Sequence, residues 1–143
     1  MSVLSVTPKL CAIASILSLG LCALAARAHH SQQPFFHMDR NLEISGTVVR
    51  FDFINPHPVI VVDVVDESGG SVRWEVEGPT AIYLSRTGWT ADSLLPGDEI
   101  TVRGAPPKKV GAHALAGREV RKADGTVLRL YTDDARRVLE LAQ

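Results

Sequence analysis

Five histidines are the side chains of this 143-residue sequence best suited to chemistry: His29, His30, His37, His57 and His113. Four of them fall between positions 29 and 57, and the first two directly follow a small-x-small tripeptide, Ala26-Arg27-Ala28. Signal peptidase accepts such a tripeptide, and cleavage after Ala28 frees the backbone amine of His29. A terminal histidine chelates through amine and imidazole together. One or two more imidazoles then complete an all-nitrogen set, which suits Cu(II) best among the available divalent ions. The expected metal-binding residues are therefore His29, His30, His37 and His57, and the expected ion is copper. The chelate depends on the cut: a one-residue shift abolishes it.

A plainer reading stands beside that one. His29 and His30 suit the peptidase and stay mobile, His37 lies on an arm, and His113 sits in a glycine-flanked loop. His57 belongs to the turn Asn55-Pro56-His57, where the Asn55 side chain can bond its own backbone. Other chemistries find little support. Ser31 and Asp39 lie near histidines in sequence, but no strand-turn-helix elbow frames a nucleophile. Glu75 and Glu77 share one face of a strand, as solvated charges commonly do. Gly69-Gly70 lacks the lysine and helix of a phosphate-binding loop. Trp74 fits a core by parity and Trp89 follows a helix stop, so both read as packing residues before they read as sugar platforms. No catalytic residues are assigned, and no enzyme activity is expected.

The leader explains the histidines' position. Met1 to Lys9 is short and carries Lys9, Leu10 to Ala26 is a 17-residue apolar run, and the polar stretch His29-His30-Ser31-Gln32-Gln33 follows Ala28. About 20 apolar residues are needed to cross a bilayer core, and Ala, Ser and Gly dilute this run. A lipoprotein site at Cys22 is disfavoured by Leu21, which is not small. Residues 1–28 are thus expected to be a cleaved signal peptide, leaving no stable membrane anchor and a periplasmic or secreted product.

Cleavage leaves 115 residues, enough for one domain with one core. Both cysteines, Cys11 and Cys22, leave with the leader, so no disulfide or thiolate metal site is expected. Losing Lys9 and Arg27 leaves 13 basic against 16 acidic side chains, a formal charge of −3. That balance argues against a nucleic-acid partner. The expected partner is an unknown ligand or an envelope protein.

Residues 29–41 read as an extended arm, and 42–143 as a single domain. Leu42 to Val48 places apolar residues at even positions, but Val49, Phe51 and Phe53 are odd. Such a switch of parity predicts a β-bulge or bend, with Gly46 relieving crowding nearby. Two prolines interrupt the run at 55–58. Val59 to Val65 is β-branched apart from Asp63, so both faces are expected to be covered. Ser71 to Glu77 alternates, with Val72, Trp74 and Val76 inward. A helix between Gly78-Pro79 and Gly88 follows, then a further turn of helix or a loop at 90–95 and a tight turn at Leu95-Pro96-Gly97-Asp98. Glu99 to Arg103, Leu115 to Lys122 and Thr126 to Tyr131 complete the strands, the last two around Asp124-Gly125. Asp133 or Asp134 can cap a final short helix. Three strands, a helix and more strands is the plan of an all-β, OB-type Greek-key barrel; a small β-sandwich is the alternative.

The mature start His29-His30-Ser31, the run Gly46-Thr47-Val48 through Phe53 to Asn55-Pro56-His57, Gly88-Trp89-Thr90 and Leu95-Pro96-Gly97-Asp98 together resemble a family of small exported bacterial proteins of unknown function. The likeness covers nearly the whole mature chain. It implies an exported β-barrel-like domain and supplies no activity. That family often carries an aromatic residue soon after the NPH histidine, whereas Pro58-Val59-Ile60 stand here.

Overall fold

The computed structural model describes residues 32–131. The leader, His29, His30 and the expected C-terminal helix lie outside the described residues.

The first strand decides the architecture. β1 (Leu42–Asp52) is 11 residues long, and along its first half Leu42 and Ile44 turn inward. Against β2 (Val59–Val65) the register jumps between Val48 and Arg50, leaving Val49 unpaired. After this bulge the inward parity reverses, and Phe51 and Phe53 pack on the core. The bend lets one strand serve two neighbours. Its first half pairs with β4 (Glu99–Ala105), from Leu42↔Gly104 to Thr47↔Glu99. Its second half pairs with β2, from Thr47↔Asp63 to Asp52↔Val59. Gly46 sits at the crossover, where a Cβ would run into the carbonyl of Asp63. The absent side chain lets the strands approach.

β3 (Ser71–Glu77) lies antiparallel to β2, and β5 (Ala114–Lys122) antiparallel to β4. β3 and β5 then meet in parallel, from Glu75↔Ala114 to Glu77↔Ala116. The result is a closed five-stranded barrel, with the short β6 (Val127–Arg129) added beyond β5. A helix, α1 (Ala81–Arg86), follows β3; the Thr80 hydroxyl caps it by accepting the Tyr83 N–H at 3.3 Å. Residues 90–95 form a turn rather than more helix, with the Ser93 hydroxyl accepting the Thr90 N–H at 2.8 Å.

Inward strand residues such as Ile44, Val48, Ile60, Val62, Val76, Val102 and Val120 make one core with Leu84, Trp89 and Leu94 from the α1 region. In the middle of β2, Ile60, Val61 and Val62 are consecutively buried, so that strand is covered on both faces. Trp74 differs from expectation. Its parity is inward, but it is only half-buried, and its ring rests on His113 with centroids 5.3 Å apart. The reason is position: Trp74 precedes Glu75, the first residue of the β3–β5 pairing, so no fifth strand flanks it. Trp89 is the fully packed tryptophan, 3% exposed.

Candidate functional site

The Asn-Pro-His segment positions its histidine by local chain geometry. Asn55-Pro56 is a cis peptide, Pro58 is buried, and the Gly78 N–H donates to the Pro58 carbonyl at 2.9 Å. The end of β3 is thereby held beside His57. The His57 Nδ1 lies 3.1 Å from the Gly78 carbonyl oxygen. A carbonyl can only accept, so Nδ1 carries the proton and donates. In the neutral ring this assigns the lone pair to Nε2, the form a metal requires. The Glu77 carboxylate stands 3.7 Å from the same Nδ1. The residues that follow are packed, with Pro58 and Ile60 buried. No aromatic side chain stands at these three positions.

Glu77 also borders the seam where β3 meets β5. Tyr131, just beyond β6, stacks obliquely on Tyr83 with centroids 6.1 Å apart, and its hydroxyl donates to Gln32 Oε1 at 3.3 Å. Burial, with smaller contributions from the Glu77 carboxylate and Tyr83, pushes the Tyr131 phenol up to about 12. It is therefore a neutral donor at any physiological pH. The Gln32 amide nitrogen is buried and has no hydrogen-bond partner among the described residues.

The chain from Gln32 to Asn41 is fastened to the barrel. Phe36 is buried, bridges to Pro107, and packs with Ala105 and Ala116 in a second small cluster. The Arg118 guanidinium on β5 donates to the carbonyls of Met38 and Arg40, the latter at 3.0 Å, and to the Asn41 side chain. His37 is part of this attachment through its backbone, its N–H donating to the Pro106 carbonyl at 2.9 Å.

Two of the four expected ligand histidines fall among the described residues. His37 lies against Pro106 and His57 against Gly78, while His29 and His30 lie outside the described residues. Among the described residues, no three His, Cys, Asp or Glu side chains are grouped to hold a metal. Glu75 and Glu77 lie on one face of β3, and the Glu77 carboxylate stands beside His57. The contributions of Gln32, Tyr131 and Arg118 were not visible in the sequence, because each depends on a contact spanning 77 or more positions.

A family model described as "Family of unknown function (DUF6152)" matches residues 16–116, more than half of the chain. The chain belongs to this family. The description assigns DUF6152 no activity, in keeping with the expected likeness to a family of unknown function. The match includes all five histidines and ends before Arg118 and Tyr131. No curated protein and no solved structure matches the chain.

Proposed function

We propose that this DUF6152 member is an exported binding module built on an OB-type barrel, and that it takes up Cu(II) through its mature N-terminal histidines. The OB-type reading rests on the barrel order β1-β2-β3-β5-β4, its parallel closure, and the helix between the third and fourth strands. The export reading rests on the leader pattern of residues 1–28. The primary donors are the amine and imidazole of His29, with His30 adjacent and His57 or His37 adding a further imidazole.

One observation carries the metal reading on the barrel itself: the Gly78 carbonyl holds the His57 Nδ1 proton. Ligating histidines are commonly oriented by such a bond on the far ring nitrogen. The test is copper titration of the exported protein, after intact mass has established that it begins at His29. Cu(II) binds more tightly than Zn(II), and binding weakens on acidification, since protons compete with the metal for the nitrogen donors. Acetylating the His29 amine weakens binding by at least about tenfold, because the terminal chelate is lost. Equal affinity of native and acetylated proteins rejects the site. So does wild-type affinity in both His57→Ala and His37→Ala.

A further inference from the structure

Positive charge and exposed apolar surface coincide in one part of this otherwise acidic chain. From Ile100 to Arg118 there is no Asp or Glu, while Arg103, Lys108, Lys109 and Arg118 all fall there. The segment Gln32 to Met38, which lies against that loop, contains no acidic residue either. Two large apolar side chains project from the same assembly, Val110 at 98% exposed and Phe35 at 68%.

Their exposure is built into the fold. Lys108 N–H donates to the Phe35 carbonyl at 2.8 Å, His37 N–H to the Pro106 carbonyl at 2.9 Å, and Ala112 N–H to the Lys109 carbonyl at 3.2 Å. Pro106 and Pro107 restrict the backbone further, and Phe36 anchors the arm beneath. The loop therefore presents Val110 at a turn, next to two exposed lysines, on a fixed support. Scattered exposed hydrophobics are ordinary. An apolar tip flanked by cations on a convex turn has the composition of a membrane-surface contact.

We propose that the β4–β5 loop and the adjoining arm dock the protein reversibly on an anionic phospholipid surface. Val110 and Phe35 enter the boundary between headgroups and acyl chains, and Lys108 and Lys109 lie over the phosphates. A bilayer suits the shape, because a projecting turn needs a yielding surface rather than a matching pocket. Two lysines and two apolar side chains support peripheral association, not permanent anchoring. The proposal is independent of copper.

The test is sedimentation of the exported protein with phospholipid vesicles. Vesicles containing phosphatidylglycerol retain it, pure phosphatidylcholine vesicles do not, and raising salt from about 0.1 to about 0.5 M releases it. Replacing both lysines (Lys108→Glu with Lys109→Glu) lowers partitioning by roughly tenfold or more. Val110→Asp lowers it about fivefold, whereas Val65→Asp, at a site 72% exposed in the β2–β3 hairpin, leaves it unchanged. Circular dichroism of each variant matches wild type, since all these side chains face water. Equal retention by both vesicle types, or equal retention of wild type and Val110→Asp, overturns the proposal. Binding to soluble polyglutamate without vesicle retention also overturns it, in favour of an acidic protein partner.

Discussion

The indole nitrogen of Trp89 donates to the backbone carbonyl of Arg129 at 3.0 Å, joining the turn after α1 to the last described strand. The ring packs on Phe51, with centroids 5.7 Å apart, and belongs to the main core. Trp89→Ala should therefore destabilise the fold by about 3–5 kcal/mol, through lost burial and the cavity left behind. Trp89→Phe keeps most of the apolar contact but removes the indole hydrogen bond to the Arg129 carbonyl, and should cost about 1–3 kcal/mol. Denaturant unfolding of both variants measures the difference. A Trp89→Phe cost as large as that of Trp89→Ala would contradict this division.

Arg118 holds the arm by hydrogen bonds to Met38, Arg40 and Asn41, while Phe36 holds it by burial. Arg118→Met retains an apolar stem and removes every donor. The expected loss is about 1.5–3 kcal/mol, the range for charge-assisted bonds. Amide hydrogen exchange locates the effect. Protection should fall at His37 and Arg40, whose N–H groups donate to Pro106 and to His37 respectively, while the central strands keep theirs.

Tyr131 makes the fold sensitive to alkali. Its phenol is raised from 10.0 to about 12 in the folded chain, mainly by burial. Below pH 10 both folded and unfolded chains keep the proton, and the contribution to stability is fully present. Between pH 10 and about 12 the unfolded chain releases the proton while the folded chain retains it, so stability falls across that window. Unfolding measured against pH should show this alkaline limb in wild type, and Tyr131→Phe should reduce it. Ultraviolet titration should find the residue that ionises last missing from the variant.

Much of the barrel was legible because its signals are local. The parity switch around Val49 needs only the sequence of β1 to announce a bulge, and the bulge falls there. Asp124-Gly125 needs only its own turn chemistry to set the last hairpin, whose Thr126 N–H reaches the Asp124 carboxylate at 2.8 Å. The burial of the two tryptophans was less legible. Alternation assigns Trp74 an inward face but not how many strands will cover it, and the flanking strand begins one position too late. The surroundings of His57 were the least visible. The NPH turn could be recognised, but the proton-accepting partner comes from Gly78, 21 residues away. Arg118 reads in sequence as one more strand charge; only the folded arm reveals what its guanidinium holds.

The β3–β5 seam has a consequence for how the chain folds. It joins residues 39 positions apart through three register pairs, Glu75↔Ala114, Val76↔Leu115 and Glu77↔Ala116. The other four joints of the barrel are antiparallel and carry five to seven pairs each. Closing any long-range joint costs chain entropy before its contacts can compensate, and the three-pair seam returns the least for that cost. The economical route is for β3-β2-β1-β4-β5 to form first as a curled, unsealed sheet. The seam then shuts last, with α1 and Trp89 already carried inside the span that it closes. Gly117 stands at that closing edge: a Cβ there would strike Leu130 and approach Val76 Cγ1 at 2.6 Å. Closure thus ends on a position where a hydrogen atom takes the place of a side chain, and any Cβ there obliges the Leu130 and Val76 side chains to shift before the seam can shut.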